Sequence, residues 1–419
     1  MHAMHTTLNV DEIRSHFPSL ASGEIYFDNP GGTQVAREAM QRMQDYFEHN
    51  NANHGGAFRT SRDSDAVVAE TRRAVAAFLN AARPEEIVFG QNMTSLTLHI
   101  SRSIARLLNP GDEIVVTRLD HDANIAPWLL IAVDRGCQVR WVDIHPEDCT
   151  LDMEDMERQI TPRTKLVAVG YASNAVGTVN DVKRVVELAH GVGALCFIDA
   201  VQYAPHKLID VQMLDCDFLA CSAYKFFGPH LGILYGKYEL LDKLTAYKVR
   251  PAGNEPPDKF ETGTQSFESI ASTLGALQYF AWVGTRFGGD SGPLDKALRK
   301  GIEVIDRYEL GLNSALLEGL SSVPGLHIRG ITDPQKMGQR VPTFSFTLDD
   351  WQPGIVAEKL AKKRINVWNG NYYALALIDR LGLENQGGMV RVGLTHYNKP
   401  DEIVLARARA PARGCPSHT

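Results

Sequence analysis

From about residue 60 to residue 236 the chain alternates between two hydrophobic periods. Apolar runs occur at 86–90 (EIVFG), 113–118 (EIVVTR), 138–143 (QVRWVD), 165–172 (KLVAVGYA), 194–200 (ALCFIDA), 217–223 (DFLACSA) and 232–236 (GILYG). Most are separated by segments whose apolar residues recur every three or four positions, as in DAVVAETRRAVAAFLN and DVKRVVELAHGVG. A near-continuous apolar strand is covered on both faces, and amphipathic helices between successive strands supply the cover. The pattern predicts an α/β fold with a mostly parallel sheet between helices. The last two runs lie too close for a crossover helix, so they are expected to pair antiparallel.

A Pro/Gly-rich stretch, VRPAGNEPPDKF at 249–260, ends this pattern, and a long helical region is expected from Ser269 to about Ser322. The remainder reads as a small α+β unit: HIRG, VPTFSFTL, a helix at GIVAEKLAKKR, and MVRVGLTHYN. We therefore expect a large domain over 21–265, a smaller C-terminal domain over 266–419, and residues 1–20 packed on the smaller one. The basic, Pro-containing end, DEIVLARARAPARGCPSHT, is expected to fray.

Composition narrows the field. In 419 residues, 44% hydrophobic and 22% charged positions match an ordinary globular protein rather than a disordered chain. A net charge of -7 offers no basic surface for a phosphate backbone, which argues against nucleic acid as a partner. No apolar stretch approaches a membrane span, and MHAMHTTLNVDEIRSHF lacks the pattern of a secretory signal. The six cysteines are scattered, none in a CxxC pair or beside histidine at ligand spacing. No metal site and no disulfide framework is expected, Cys196 reads as a buried small hydrophobe, and a reducing cytoplasm fits.

Ligands of open parallel sheets sit outside the carboxyl ends of the strands. Polar clusters follow five of the apolar runs here: FGQNMTS, RLDHDANIAPW, YASNAVGT, IDAVQY and CSAYKFFGPH. They would deliver Asn92, Thr94, His121, Asn174, Asp199, Gln202, Ser222 and Lys225 to one rim. Lys225 lies in a short turn between two strand candidates, where desolvation can turn an amine into a nucleophile for a carbonyl; a surface lysine at a hairpin is the alternative. Asp199 ends an apolar run, where a carboxylate needs a cation or several donors; a helix N-cap is the alternative.

The aspartate in IDAVQ and the lysine in SAYKFFGP, with GTQ and VRVGLTHYN further on, resemble fold-type I pyridoxal-phosphate enzymes of the class V aminotransferase and cysteine desulfurase group, from Tyr26 to about Asn398. The resemblance implies a large cofactor-binding domain with a mixed, mostly parallel sheet, a smaller α+β domain, and pyridoxal 5'-phosphate as cofactor. It makes Lys225 the Schiff-base lysine and proton shuttle, Asp199 the partner of the pyridine nitrogen, and His121 the residue stacked on the ring. Asn174 and Gln202 would face the phenolic oxygen, and Thr94, Ser222 and Tyr224, with Met93 beside them, the phosphate. Thr264 would reach the phosphate of a neighbouring subunit, implying a homodimer with shared sites. Arg391 would clamp the substrate carboxylate, with Gly31, Gly32, Asn371 and Tyr372 around the substrate; an exposed strand arginine and a plain tight turn are the alternatives at Arg391 and at the glycines.

Two departures bear on the reaction. Tyr224 stands where desulfurases of this group usually carry histidine. Desulfurases also carry a mobile, sulfur-accepting cysteine ahead of the carboxylate arginine, whereas INVWNGNYYALALIDRLG offers Tyr372 and Tyr373 and no cysteine. The resemblance thus implies an enzyme acting on a small L-α-amino acid, with C–S cleavage of a cysteine-like substrate, as in cysteine or cystine lyases, favoured over persulfide transfer. A second expectation comes from YKFFGPHLGILYG, SNAVGT and VRVGLTHYN, which resemble the fungal ustiloxin-pathway branch of decarboxylative aldolases. Such an enzyme would use L-aspartate and an aldehyde, and its site needs a cation for a second carboxylate, which Arg59, Arg62 or His54 could supply unless they form a solvated polar loop. Amino transfer and epimerisation need only the shared core residues.

Overall fold

A computed structural model, describing residues 8–289 and 292–409 (405–409 as backbone alone), gathers the seven apolar runs into one sheet. The strands are β1 (Ile87–Gly90), β2 (Glu113–Thr117), β3 (Gln138–Val142), β4 (Thr164–Gly170), β5 (Leu195–Asp199), β6 (Phe218–Ser222) and β7 (Gly232–Gly236). Their order across the sheet is β1-β7-β6-β5-β4-β2-β3. All neighbours are parallel except β7, which runs antiparallel to both β6 and β1. The short link between the last two runs does produce an antiparallel pair, and that returning strand is what closes the sheet against β1.

Alternation along β5 shows how both faces are covered. Cys196 and Ile198 point into a core shared with the helices α1 (Arg59–Leu79), α3 (Val182–Gly191), α4 (Phe267–Gly288) and α5 (Leu294–Ser321). Phe197 points into the opposite core, with Trp128 and the apolar side of α2 (Met93–Ala105). Cys196 is fully buried, as its apolar neighbourhood implied. No disulfide joins the described cysteines, and no described helix is long and apolar enough to cross a membrane.

The C-terminal part builds a second, antiparallel sheet from β8 (Leu326–Arg329), β9 (Thr343–Leu348), β10 (Trp368–Gly370) and β11 (Met389–Gly393), in the order β8-β9-β11-β10. Helix α6 (Pro353–Ala361) and the end of α5 cover it through Val356, Leu360, Leu312 and Leu316. The segment from Ile25 to Gly32 runs between the two sheets. Its Phe27 carbonyl accepts the Gly393 amide at 2.7 Å, and the Asn29 side chain donates to Gly393 O at 2.9 Å. At the N-terminus, Arg14 donates to the Tyr397 carbonyl at 2.8 Å, while Phe17 packs edge-on against Phe227 and Tyr397. The start of the chain thus touches both parts rather than the C-terminal one alone.

The long helical region is two helices, broken between Gly288 and Leu294 where FGGDSGP interrupts the apolar period. The final helix runs from Pro400 to Arg409, and the rest of the tail expected to fray lies outside the described residues. Helices α4 and α5 approach closely because Gly284 faces Ala297 and Gly301 faces Phe280: a Cβ on either glycine would overlap a backbone carbonyl of the other helix. Gly301→Ala should therefore lower the unfolding free energy by about 1–3 kcal/mol, the usual cost of overpacking. Urea denaturation checks this, and an unchanged midpoint would show that the helices part at no cost.

Candidate active site

The carboxyl ends of β1, β2, β4, β5 and β6 open into one polar cavity. Register sets its floor: Gly170 on β4 lies opposite Asp199 on β5, which lies opposite Ala220 on β6. Asn92, Met93, Thr94, His121, Asn174, Asp199, Gln202, Ser222, Tyr224 and Lys225 all line this cavity. The strand-end residues singled out from the sequence therefore meet at one place.

Lys225 ends the turn Ala223–Lys225 between β6 and β7, and only 7% of its surface is exposed. Its amine contacts the Pro30 carbonyl and lies 5.1 Å from the centre of the Tyr224 ring. Burial, with help from the nearby Arg391 charge and against the pull of Asp199, brings its pKa down to about 7. Burial likewise raises Asp199 to about 6, opposed by the Val201 amide, bonded at 2.9 Å, and by Lys225. His121 accepts the Ala123 amide on Nδ1 at 3.0 Å, so the neutral ring carries its proton on Nε2. Burial first, then Lys225 and Arg391, holds its pKa down at about 4.

Asp120 also lines the cavity and was missed in the sequence, where it stood in plain view beside His121 at a strand end. One of its oxygens accepts the Gly170 amide at 2.6 Å, and the other the Asn124 side chain at 3.4 Å. Full burial, reinforced by the neighbouring Asp199, pushes its pKa well above the carboxylate range. Two carboxylates in one dry site cannot both ionise cheaply, so Asp120 is the neutral member.

At the anion-binding end, Asn92 caps α2 by accepting the Ser95 amide, and the Ser222 hydroxyl accepts the Met93 amide at 3.1 Å. Thr94 stands between them in the first turn, where the helix N-terminus favours negative charge. Met93 thus contributes its backbone, while its side chain is buried in the core beneath. Tyr224 stacks on His230 with ring centres 5.1 Å apart. Behind Asn174, Arg391 on β11 donates from Nη1 to the Asn174 carbonyl at 2.8 Å and lies 4.3 Å over the Tyr372 ring; neither Arg391 nor Tyr372 is among the residues that line the cavity. Burial lowers even the Arg391 pKa, to about 10, against the opposing effects of Tyr372, Asp28 and Tyr224.

Other residues named from the sequence stand elsewhere. Gly32 abuts the Tyr224 ring. Asn371 is exposed and turns its side-chain oxygen back onto the Tyr373 amide at 3.1 Å, away from the cavity wall. Thr264 lines a separate surface cavity with Gln91, Ser95, His99 and His230, on the outer side of the α2 N-terminus. Arg59 pairs with Asp63 at 2.6 Å on an exposed face, Arg62 bonds the Ala57 carbonyl, and His54 is exposed beside Phe267; none of the three lines the cavity.

The sequence matches the family model for class-V aminotransferases over residues 25–405. The chain belongs to that family. It is 32% identical to the aminotransferase-like protein FGM3 of Gibberella zeae, over 95% of this chain and 96% of that one. It is 31% identical to a cysteine desulfurase of Pectobacterium carotovorum, over 94% and 95% of the two chains. Among solved structures, a cysteine desulfurase from Thermococcus onnurineus without ligand superposes with a TM-score of 0.85 at 27% identity, covering 97% of this chain and 98% of that one. The fold is that of fold-type I pyridoxal-phosphate enzymes, and pyridoxal phosphate is the cofactor. The polar lining fits it: Asp199 and Lys225 are buried in one cavity with Asn174 and Gln202, whose side-chain oxygens are buried acceptors without a partner, while Nε of the neighbouring Arg391 is a buried donor without one.

The lowered pKa gives a direct test. In cofactor-free protein, acetylation of Lys225 by acetic anhydride should have a pH midpoint near 7, read by peptide mass spectrometry, because only the uncharged amine reacts. Asp199 favours the ammonium, so Asp199→Asn should move the midpoint down; Arg391 opposes it, so Arg391→Gln should move it up. A midpoint near the ordinary lysine value of about 10.4 would mean a solvated amine.

Proposed function

We propose that the protein is a C–S lyase: it takes a small, cysteine-type L-α-amino acid and releases the sulfur by β-elimination instead of passing it to a protein cysteine. The position of the thiols carries this reading. Cys149, Cys196, Cys216 and Cys221 are buried in the cores, and Cys137, at the amino end of β3, bonds the Asn109 carbonyl. Burial is the main cause holding every one of these thiols above its usual pKa. None lines the cavity, and Cys415 lies outside the described residues. The place of an acceptor thiol is taken by Tyr372 and Tyr373, whose carbonyls accept the Asn174 side chain at 2.8 Å and the Asp122 amide at 2.7 Å. The relatives named as cysteine desulfurases support sulfur chemistry at the same polar floor.

Bound here, pyridoxal phosphate supplies an electron sink that stabilises negative charge at the substrate Cα. The residues of the chain do the rest. The unpartnered Nε of Arg391 leaves this guanidinium a free donor for the substrate carboxylate. Asp199 provides the carboxylate for a protonated pyridine nitrogen, and the neutral Asp120 beside it adds no second charge. His121 presents an uncharged ring to the cavity. With its pKa near 7, Lys225 can take the Cα proton at neutral pH and return a proton to the departing sulfur.

Purified, cofactor-loaded protein given L-cysteine and a reductant should form pyruvate and sulfide in equal amounts, and Lys225→Ala should lose about 10²–10⁴-fold in turnover. Alanine as the carbon product would overturn the lyase reading.

We further propose a homodimer in which Thr264 completes the phosphate site of the neighbouring copy, a reading supported by its position on the far side of the α2 N-terminus from its own cavity. Inactive Lys225→Ala chains mixed with impaired Thr264→Ala chains should then recover activity, because one site of each hybrid has both residues. No recovery would place Thr264 in its own chain's site or in none.

A further inference from the structure

The turn that stands in place of an acceptor cysteine has an unusual backbone. Tyr372 and Tyr373 are consecutive non-glycine residues in the left-handed region, at φ 55° and 58°. Such a conformation persists only where the surroundings impose it, and it concentrates at functional sites. The anchors here come from the active site itself: Asn174, which also holds Arg391, bonds the Tyr372 carbonyl, and Asp122, next to His121, bonds the Tyr373 carbonyl. The Tyr372 hydroxyl is tied to the Met389 carbonyl. The result is that Tyr373, 69% exposed, lies nearly parallel to His121, with ring centres 5.5 Å apart and planes 22° from parallel.

A second exposed aromatic flanks the other side. Trp368, on the edge strand β10, is the register partner of Arg391 on β11, so the two side chains share a face of the sheet. Its indole lies so close on Gly31 that a Cβ there would overlap it, and Gly31 follows Pro30, whose carbonyl contacts Lys225. Trp368 is nevertheless 51% exposed. One large ring therefore stacks on His121, which lines the cavity, and another sits beside Arg391 and Gly31, next to the Pro30 that contacts Lys225 of the same cavity. Neither ring belongs to the cavity lining itself, and Arg59, Arg62 and His54 bring no charge to it. Exposed aromatics grouped around a polar cleft mark a place where an apolar group of a ligand is received.

We propose that Trp368 and Tyr373 form a specificity rim for an apolar or aromatic substituent carried beyond the substrate Cβ, making the substrate an S-alkyl or S-aryl cysteine conjugate. This rests on the lyase reading above and narrows it. The Cα–H and Cβ–S bonds break, and the sulfur leaves with the bonding pair and takes up a proton as R–SH. The three-carbon remainder takes up one water and yields pyruvate and ammonium. The reaction needs no oxidant and no reductant.

Two measurements on the holoenzyme test the rim, one needing C–S cleavage and one not. S-benzyl-L-cysteine should be cleaved with a kcat/KM about tenfold or more above that for S-methyl-L-cysteine, carried by KM. Trp368→Ala and Tyr373→Ala should each bring that ratio towards unity, while Tyr373→Phe keeps it. Independently, exchange of the Cα proton with D2O, followed by NMR, should favour L-phenylalanine over L-alanine in the native protein and lose that preference in the same two variants. Equal handling of large and small side chains by the native protein, in both measurements, overturns the rim even if C–S cleavage is found. Preferential exchange of phenylalanine that the variants abolish, with no conjugate cleaved, upholds the rim and sinks the lyase reading instead.

Discussion

A lysine amine buried within the field of an arginine is the constraint on which the site depends. Taking two cations out of water is costly unless each finds partners, and here the compensation is deliberately incomplete. Lys225 has the Pro30 carbonyl and the more distant Asp199; Arg391 has the Asn174 carbonyl and the face of the Tyr372 ring. Both pKa values fall in consequence. On the proposed function, a cofactor phosphate and a substrate carboxylate would bring anionic charge to this field. The neutrality of Asp120 and His121 belongs to the same economy, since neither adds a charge that would have to be balanced before a ligand arrives.

That arrangement is possible only because the sheet brings distant residues into register. Asp199 ends β5 and Lys225 follows β6, consecutive strands that are also neighbours in the sheet, and the turn into the antiparallel β7 holds Lys225 at the carboxyl ends. Arg391 arrives from a different sheet altogether. Its position is fixed by the Ile25–Gly32 segment, which hydrogen-bonds to the Gly393 end of β11 while presenting Pro30 to Lys225. One short stretch of backbone thus couples Arg391 to Lys225.

The parts of this that could be read in the sequence are those governed by period and by position at a strand end. All seven strands of the large sheet were marked by apolar runs, and the residues that follow five of them line one cavity. Pattern cannot show where a side chain turns once the chain has folded. Asn371 lies in the expected stretch but caps the Tyr373 amide, and Arg59 is satisfied by Asp63 four residues on. Asp120 was overlooked because its meaning lies in burial beside Asp199, not in its spelling. The break between α4 and α5 is legible in the glycines and proline of FGGDSGP, which end one helical period before the next begins.

The positive φ of two successive tyrosines was invisible, because no residue type announces it; glycine or asparagine would have. It is also the feature that separates two functions usually run together in this family. On the proposed function, Lys225, Asp199 and His121 of the cavity, with Arg391 behind it, would govern what happens at Cα, and that set is compatible with several reactions. On the proposal above, the segment from Trp368 to Ala374 would meet whatever the substrate carries beyond Cβ. A thiol there would accept sulfur and hold it on the protein. On the proposed function the turn, pinned by the Asp122 amide on the Tyr373 carbonyl and by the Asn174 side chain on the Tyr372 carbonyl, offers rings and no thiol, so it would pack against the departing group instead of taking its sulfur as a persulfide. On that proposal the fate of the sulfur would follow from this turn rather than from the cofactor chemistry beneath it.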